Sequence, residues 1–298
     1  MVSNDERSNE CLICKNRNIK TKFLIKGYTI KECRTCSFTF LDYVFSDERS
    51  HQFYNRSYFE GSETDKGYEN YEKCETFLTR NFLKRLNVIK KFVNNGSVLD
   101  IGCGYGFFLN CLDDNYTGVG VDVSTHAIEY AKNRLNVNAI AGQLDDCSFP
   151  NKSFEIITMW DTIEHLNRPE SIFKEINKLL SDEGVLAITT GNVASFISKI
   201  FGKKWHLYNL PEHLWFFSYR TIQKFLNKYG FEIVEKKYDI SYYSIGYILE
   251  RLKKTLLPNN ILNKIPIHET KLNNIIIPFS LYDIMFLICK RRINKSVQ

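Results

Sequence analysis

An α/β fold is what this sequence predicts: a parallel, doubly wound, Rossmann-like sheet preceded by a small cysteine-rich module. Three observations carry that expectation. From residue 97 onward, short apolar runs alternate with amphipathic stretches, the pattern of strands alternating with helices. One of those runs, Ser97-Val98-Leu99-Asp100-Ile101, leads into three alternating glycines, Gly102, Gly104 and Gly106. Ahead of them, two Cys-x-x-Cys pairs fall within the first 36 residues.

The bulk properties fit such a chain. Its 298 residues suffice for one large domain and a small one. With 44% hydrophobic and 25% charged residues, it has the composition of a globular protein rather than a disordered one. Aromatics reach 14%, which suits either a Phe-rich core or a pocket with flat apolar walls. A net charge of +6 favours an anionic ligand but is too diffuse to predict nucleic-acid binding, and the basic run Lys290-Arg291-Arg292 is short. The N-terminal MVSNDERSNE has no apolar core of the secretory kind. The longest apolar stretch, 275–289, is broken by Pro278 and Asp283, so no transmembrane segment is expected and the predicted location is cytoplasmic.

Three zones follow. Residues 1–45 hold the cysteine pairs and β-like runs such as FLIKGYTI. Residues 46–95 are rich in Tyr (Tyr54, Tyr58, Tyr68, Tyr71) and then turn helical, with Phe77, Phe82, Leu83, Leu86, Ile89 and Phe92 at helical spacing and Asn95-Gly96 as a stop. This linker and helix are expected to cap a pocket. Residues 96–298 form the large domain. SVLDIG, TGVGVD, VNAIAG, FEIITMW and GVLAITT read as strands, and SIFKEINKLL as one of the helices between them.

Cys11, Cys14, Cys33 and Cys36 form the sharpest local signal. Two knuckles at this spacing offer four thiolates to a tetrahedral Zn²⁺ with no position left for water, so the predicted metal is structural. It would offset the missing core of a short segment. The other five cysteines (Cys74, Cys103, Cys111, Cys147 and Cys289) are scattered, unlike a disulfide framework.

The glycine loop follows a strand that carries Asp100. A dinucleotide loop has its third glycine where Phe107 stands; here Gly106 comes one residue early, the spacing of an S-adenosylmethionine pocket. The next strand ends in Asp122, whose carboxylate can accept from both hydroxyls of a ribose. The other reading of Asp122 is local capping, because Ser124 opens a helix.

Taken in order, VLDIGCGYGFFL, GVGVD, GQLDD and FEIITMWDTIEHL resemble the motif series of class I S-adenosylmethionine-dependent methyltransferases, over roughly residues 97–240. The resemblance implies a seven-stranded sheet whose last strand, YDIMFLICK (282–290), runs antiparallel, with FEIVEKKY (231–238) as the strand before it in the chain. It implies that Asp100, Gly102 and Gly104 line the methionine moiety, that Val123 lies beside the adenine, that Gln143 and Leu144 border the adenine edge, and that Trp160 and Asp161 face the sulfonium and the acceptor. Gln143 stands where the family most often has Asp. A zinc ribbon with a Tyr-rich linker also resembles the front of methyltransferases of bacterial sugar and polysaccharide biosynthesis. Their best-known relatives methylate carbons of nucleotide-linked deoxysugars and continue into a further C-terminal domain. This chain has instead a stretch at 241–281, expected to be a helical insertion, so a hydroxyl acceptor is preferred to a carbon.

Methyl transfer to a hydroxyl benefits from a base of near-neutral pKa. The stretch from Trp205 to Ser218 follows the fifth strand and so overlies the carboxyl edge of the sheet. It holds Glu212 and His213 among Trp205, Tyr208 and Trp215, expected as pocket walls. Glu-His before an aromatic run resembles the acid/base segment of the sugar C-methyltransferases, which makes His213 and Glu212 the candidate catalytic pair. A structural histidine bonding the backbone is the rival reading. His165 is expected to pack in support. The expected partner is a small-molecule acceptor, anionic or sugar-linked, and a homodimer is compatible. Two alternatives stay open: a quinone or natural-product O-methyltransferase, and a zinc-ribbon module that binds RNA or protein beside a cofactor-binding domain. Lys15, Arg17, Lys20, Lys22, Lys26, Lys31 and Arg34 around the cysteines motivate the second.

Overall fold

The computed structural model describes residues 10–44, 54, 58–59, 71–249 and 275–292. The chain opens with an antiparallel hairpin, β1 (Ile19–Ile25) and β2 (Tyr28–Cys33), turned at Lys26 and Gly27, which both take positive φ. A short β3 (Thr39–Leu41) adds to β2. Helix α1 (Glu75–Ile89) buries Phe77, Leu78, Phe82, Leu86 and Ile89 on one face. It ends before Phe92, short of the stop expected at Asn95-Gly96, because the last hydrogen bonds tighten into a turn at Lys90.

The large domain alternates as expected: β4 (Gly96–Ile101), β5 (Tyr116–Asp122), α2 (Thr125–Leu135), β6 (Ala139–Ala141), β7 (Phe154–Trp160), α3 (Pro169–Leu179), β8 (Leu180–Gly191), α4 (Phe196–Phe201), β9 (Trp215–Phe216), α5 (Tyr219–Lys228), β10 (Phe231–Tyr238), β11 (Ser241–Ser244), β12 (Ile276–Phe279) and β13 (Ile284–Arg291). Seven strands form one sheet in the order β10-β13-β8-β7-β4-β5-β6. Strands β4 to β8 pair in parallel, and β13 inserts antiparallel between β8 and β10. Leu99, Ile156, Ile157, Ile188 and Leu287 on the central strands are sealed from water, as the continuous apolar runs of a sheet covered on both faces require. Each such side chain contributes about 1.5–3 kcal/mol on burial.

The N-terminal hairpin does not stand alone. Its sheet runs β1-β2-β3-β9, so the fourth strand comes from the large domain. The Leu41 N–H donates to the Leu214 carbonyl at 2.8 Å, and Phe38 packs on Phe217 with ring centroids 5.3 Å apart. The stretch expected as a helical insertion begins and ends on strands instead. β11 and β12 pair antiparallel, a helical turn follows β11 at 245–249, and residues 250–274 lie outside the described residues.

Candidate active site

A cavity of about 480 Å³ opens at the carboxyl edge of the parallel strands, where ligands of open α/β sheets sit. At its β4–β5 end the backbone is shaped by glycine. Gly102, Gly104 and Gly106 have φ of +75°, +53° and +80°, and a Cβ at Gly102 would come within 2.6 Å of the Thr162 side chain. Asp122 closes this end. One carboxylate oxygen accepts from the Gly104 N–H at 2.8 Å and the other from the Ser124 N–H at 2.9 Å. Ser124 itself caps α2, its hydroxyl accepting from the Ala127 N–H. Burial pushes the Asp122 carboxyl up against those bonds. Beneath the loop, Asp100 is 1% exposed and accepts from the Thr158 hydroxyl at 2.6 Å; burial raises its pKa to about 8.

Aromatic rings flank the loop. Phe59 stacks on Tyr105 at 5.0 Å and Tyr71 on Phe107 at 5.3 Å, and Tyr54, Tyr58 and Tyr71 all line the cavity. Tyr68 lies outside the described residues.

The other end is made of side chains from distant elements. Arg85 of α1, 6% exposed, donates through Nε and one terminal nitrogen to Asp239 at 3.2 and 2.5 Å, and Asp239 also accepts from the Ser241 hydroxyl. Burial would raise the Asp239 carboxyl, but the Arg85 charge and these bonds outweigh it and hold it low. Asp161 follows β7 in the left-handed region, φ +50°, fixed by the Thr189 hydroxyl accepting from its N–H at 2.9 Å. Burial raises its carboxyl while the Arg85 charge pulls it back. Trp160, Phe82 and Phe77 supply apolar wall. The buried Trp160 indole N–H has no hydrogen-bond partner among the described residues, so it is a donor that a bound molecule can satisfy.

Between the two ends lie the histidines. The rings of His165 and His213 meet edge to face at 4.6 Å, and both line the cavity. His213 Nδ1 lies 2.8 Å from the Leu207 carbonyl, which fixes the proton there and puts the basic lone pair on Nε2. Burial lowers His165 to about 4, only partly opposed by a hydrogen bond to the Glu212 backbone, and its Nδ1 meets the Tyr54 hydroxyl at 2.8 Å. Beside them, the Glu164 carboxyl accepts from the Thr190 hydroxyl, and burial together with the Asp161 charge raises it to about 8.

The four N-terminal cysteines converge as well. Cys11 and Cys36 sulfurs are 3.4 Å apart, Cys14 and Cys33 sulfurs 3.6 Å, and all four lie within 4.8 Å of one another. Ligands at the usual Zn–S length of about 2.3 Å on a tetrahedron would stand about 3.8 Å apart, so this donor set fits such an ion. The two knuckles share one backbone form. Lys15 and Ser37, each just past its second cysteine, take positive φ and donate back to the carbonyls of Cys11 and Cys33.

Comparison with known proteins decides the family. The profile of a methyltransferase domain matches residues 68–236, more than half of the chain. The chain belongs to that methyltransferase family. Its similarity to individual proteins is more distant. An uncharacterised protein of Methanocaldococcus jannaschii is 30% identical over 148 residues, 49% of this chain and 54% of its own length. The ubiquinone biosynthesis O-methyltransferase of Pelagibacter ubique is 32% identical over 144 residues, 42% of this chain and 58% of that protein. The chain thus spans about half the length of the curated relatives it matches. Two solved structures share the fold: a methyltransferase-like protein of Bacillus halodurans (TM-score 0.52, 16% identity, 72% of this chain and 99% of that one) and the YcgJ protein of Bacillus subtilis (TM-score 0.51, 20% identity, the same coverages).

In this methyltransferase domain the cavity brings together Asp100, Gly102, Gly104, Asp122, Val123, Gln143, Leu144, Trp160, Asp161 and His213. The Gln143 N–H bonds to the Asp146 carboxylate, which fixes the turn after β6. Glu212 is not among the residues that line the cavity: it is fully buried, its backbone bonds His165, and its charge acts on Tyr54 of the lining. Glu164 is the carboxyl beside the histidines. Trp205, Tyr208 and Trp215 are not cavity walls either. Trp205 Nε1 donates to Asp283 and Trp215 Nε1 to the Leu166 carbonyl, while Tyr208 packs on Phe23 and Phe216. All three serve the junction with the N-terminal hairpin and the base of the 205–213 loop. Sequence reasoning missed Arg85, Asp239 and Glu164; it marked His206 as suggestively placed but not its pairing with Asp283 at 2.8 Å. Only Glu164 had a local signal, its place beside His165.

Proposed function

We propose that this protein transfers a methyl group from S-adenosylmethionine to a hydroxyl of a small molecule, with His213 as the base. The observation that carries the reading is the His213 ring, which lines the cavity with Nδ1 held by the Leu207 carbonyl and Nε2 as the basic nitrogen. Bound S-adenosylmethionine supplies an activated methyl on a sulfonium. The chain's own groups do the rest. Asp122 accepts from the ribose hydroxyls with its remaining lone pairs, Val123, Gln143 and Leu144 border the adenine, and Asp100, Gly102 and Gly104 hold the methionine end. Trp160 and Asp161 bound the place where acceptor and methyl meet, and the aromatic rings exclude water. His213 takes the hydroxyl proton. Glu212 contributes by fixing His165 through its backbone. The four cysteines hold a structural zinc.

For the acceptor we prefer a sugar nucleotide or another glycan precursor. Support comes from the likeness of the N-terminal module and linker to enzymes of that chemistry, and from Lys204 and His206, two basic side chains on the cavity wall that suit an anionic group. A quinol or other phenolic acceptor is the second reading, favoured by the walls of Phe77, Phe82 and Trp160 and by relatives named for ubiquinone biosynthesis. A nucleic-acid role is disfavoured because five of the seven basic residues around the cysteines, Lys15, Arg17, Lys20, Lys22 and Lys31, pair with carboxylates. Incubation with S-adenosylmethionine and a panel of sugar nucleotides and catechols, read as S-adenosylhomocysteine formed, tests the assignment. Turnover with sugar nucleotides supports the first reading. Turnover confined to catechols replaces it with the second.

A further inference from the structure

We propose that the rim of the cavity around α4 docks on an anionic lipid surface. The segment follows β8 directly, at the edge where the cavity opens. Ser195 starts the helix, its hydroxyl accepting from the Ser198 N–H at 3.0 Å. Phe196 is 76% exposed and Ile200 60% exposed, and at a spacing of four they share one helix face. Around them stand Lys199, Lys203 and Lys204, all exposed, and residues 196–204 contain no Asp or Glu. Among the described residues none of these three lysines is in an ion pair. Elsewhere on the molecule basic side chains do pair, as Lys15, Lys152 and Lys228 show. Bare apolar tips ringed by unpaired lysines are the chemistry of a segment that sinks its apolar face to the acyl boundary and leaves its cations among anionic headgroups.

The patch is continuous with the site. Phe201 and Lys204 line the cavity itself. Leu281 lines it from the turn between β12 and β13, whose next residue, Tyr282, is 61% exposed. Asp283 ties that turn to the segment after α4 by accepting from Trp205 and bonding His206. Charge decides the occupant. A second copy meeting this face about a two-fold axis would set the lysine cluster against its own likeness, whereas an anionic bilayer complements it. The docking does not depend on which hydroxyl is methylated, and it is measured without turnover.

The experiment is cosedimentation of the full chain with vesicles of phosphatidylcholine alone or with an equal part of phosphatidylglycerol. Binding is expected to the anionic vesicles only, and it should weaken with salt. Each lysine near such a surface strengthens binding about fivefold, so the Lys199→Gln, Lys203→Gln double variant should bind about twenty-five-fold more weakly. Phe196→Ser with Ile200→Ser should abolish binding. Unchanged melting temperature and S-adenosylhomocysteine affinity would show that these variants fold. No binding to anionic vesicles, or equal binding by the variants, overturns the proposal. So does self-association without lipid that Phe196→Ser with Ile200→Ser removes, because it assigns the patch to a second copy.

Discussion

At the β4–β5 end of the cavity, the groups poised to meet a ligand are backbone N–H groups, glycine bends and one clamped carboxylate. At the α1–β11 end they are charged and aromatic side chains from elements far apart in the chain. The first end is a consequence of the fold: a parallel strand must hand over to the next element there, and glycine lets the turn approach a ligand closely. The second is an addition to the fold and costs stability, because Arg85 and Asp239 are charges taken out of water. The difference teaches that the β4–β5 end should tolerate little change in shape but add little strain, while the α1–β11 end should tolerate redesign at a cost counted in folding energy.

The largest expected effect lies outside both ends and tests how the acceptor side is held. A closed zinc site contributes on the order of 10 kcal/mol to the folding of a small module. Cys14→Ser should therefore unfold the hairpin and release zinc, measured as metal content and as a lowered melting temperature. Because β3 pairs with β9 immediately after His213, turnover should fall while S-adenosylhomocysteine affinity holds. Protein purified without chelator and found free of zinc would refute the site, and retained turnover would refute the coupling.

Next comes His213. Loss of a general base costs about a hundredfold to ten-thousandfold in rate. His213→Ala should show that loss with cofactor affinity unchanged. Near-normal turnover and a lowered melting temperature would make the ring structural, and Glu164 and His165 would be the groups to substitute next.

The buried ion pair gives the third effect. Asp239→Ala removes the carboxylate that Arg85 hydrogen-bonds, leaving Asp161 as a charge nearby, and should cost up to about 3–5 kcal/mol in denaturant unfolding. Arg85→Met combined with Asp239→Leu should recover most of it. An equal loss in the double variant would mean that the pair is held for packing rather than for charge.

The smallest effect separates the ends by pH. Asp100, raised to about 8 in the folded chain, keeps its proton near neutrality. A folded pKa above the unfolded one contributes stability that is complete below about 3.9 and is lost as pH rises toward 8. Asp100→Asn should flatten that decline in melting temperature. A positively charged ligand favours the carboxylate, so binding of S-adenosylmethionine should release protons below pH 8, visible as a buffer-dependent heat. A heat independent of the buffer contradicts this.

How legible each region was in the sequence follows from the same contrast. Gly102, Gly104 and Asp122 were readable because a strand, its turn and the next strand's end are local patterns with one geometric meaning. The seven strands and the antiparallel β13 followed from the motif series. Arg85 and Asp239 were not readable, since their pairing joins residues 154 apart and neither sits in a local pattern. Trp205, Tyr208 and Trp215 looked like pocket walls because aromatic clustering does not say which side of a segment faces a cavity. The pairing of β3 with β9, a long-range contact, turns Trp215 into the junction. The same ambiguity of facing hid that the Glu164 side chain, one residue from His165, lines the cavity while Glu212 is buried beside it.

The central claim is that the β4–β5 end binds S-adenosylmethionine through Asp122. Calorimetric titration of S-adenosylhomocysteine into the full chain and into Asp122→Ala tests it most directly. Two charge-assisted hydrogen bonds should disappear, weakening binding by about 2–4 kcal/mol with the fold intact. Equal affinity in the two proteins, or no binding to the unaltered chain, would contradict the account.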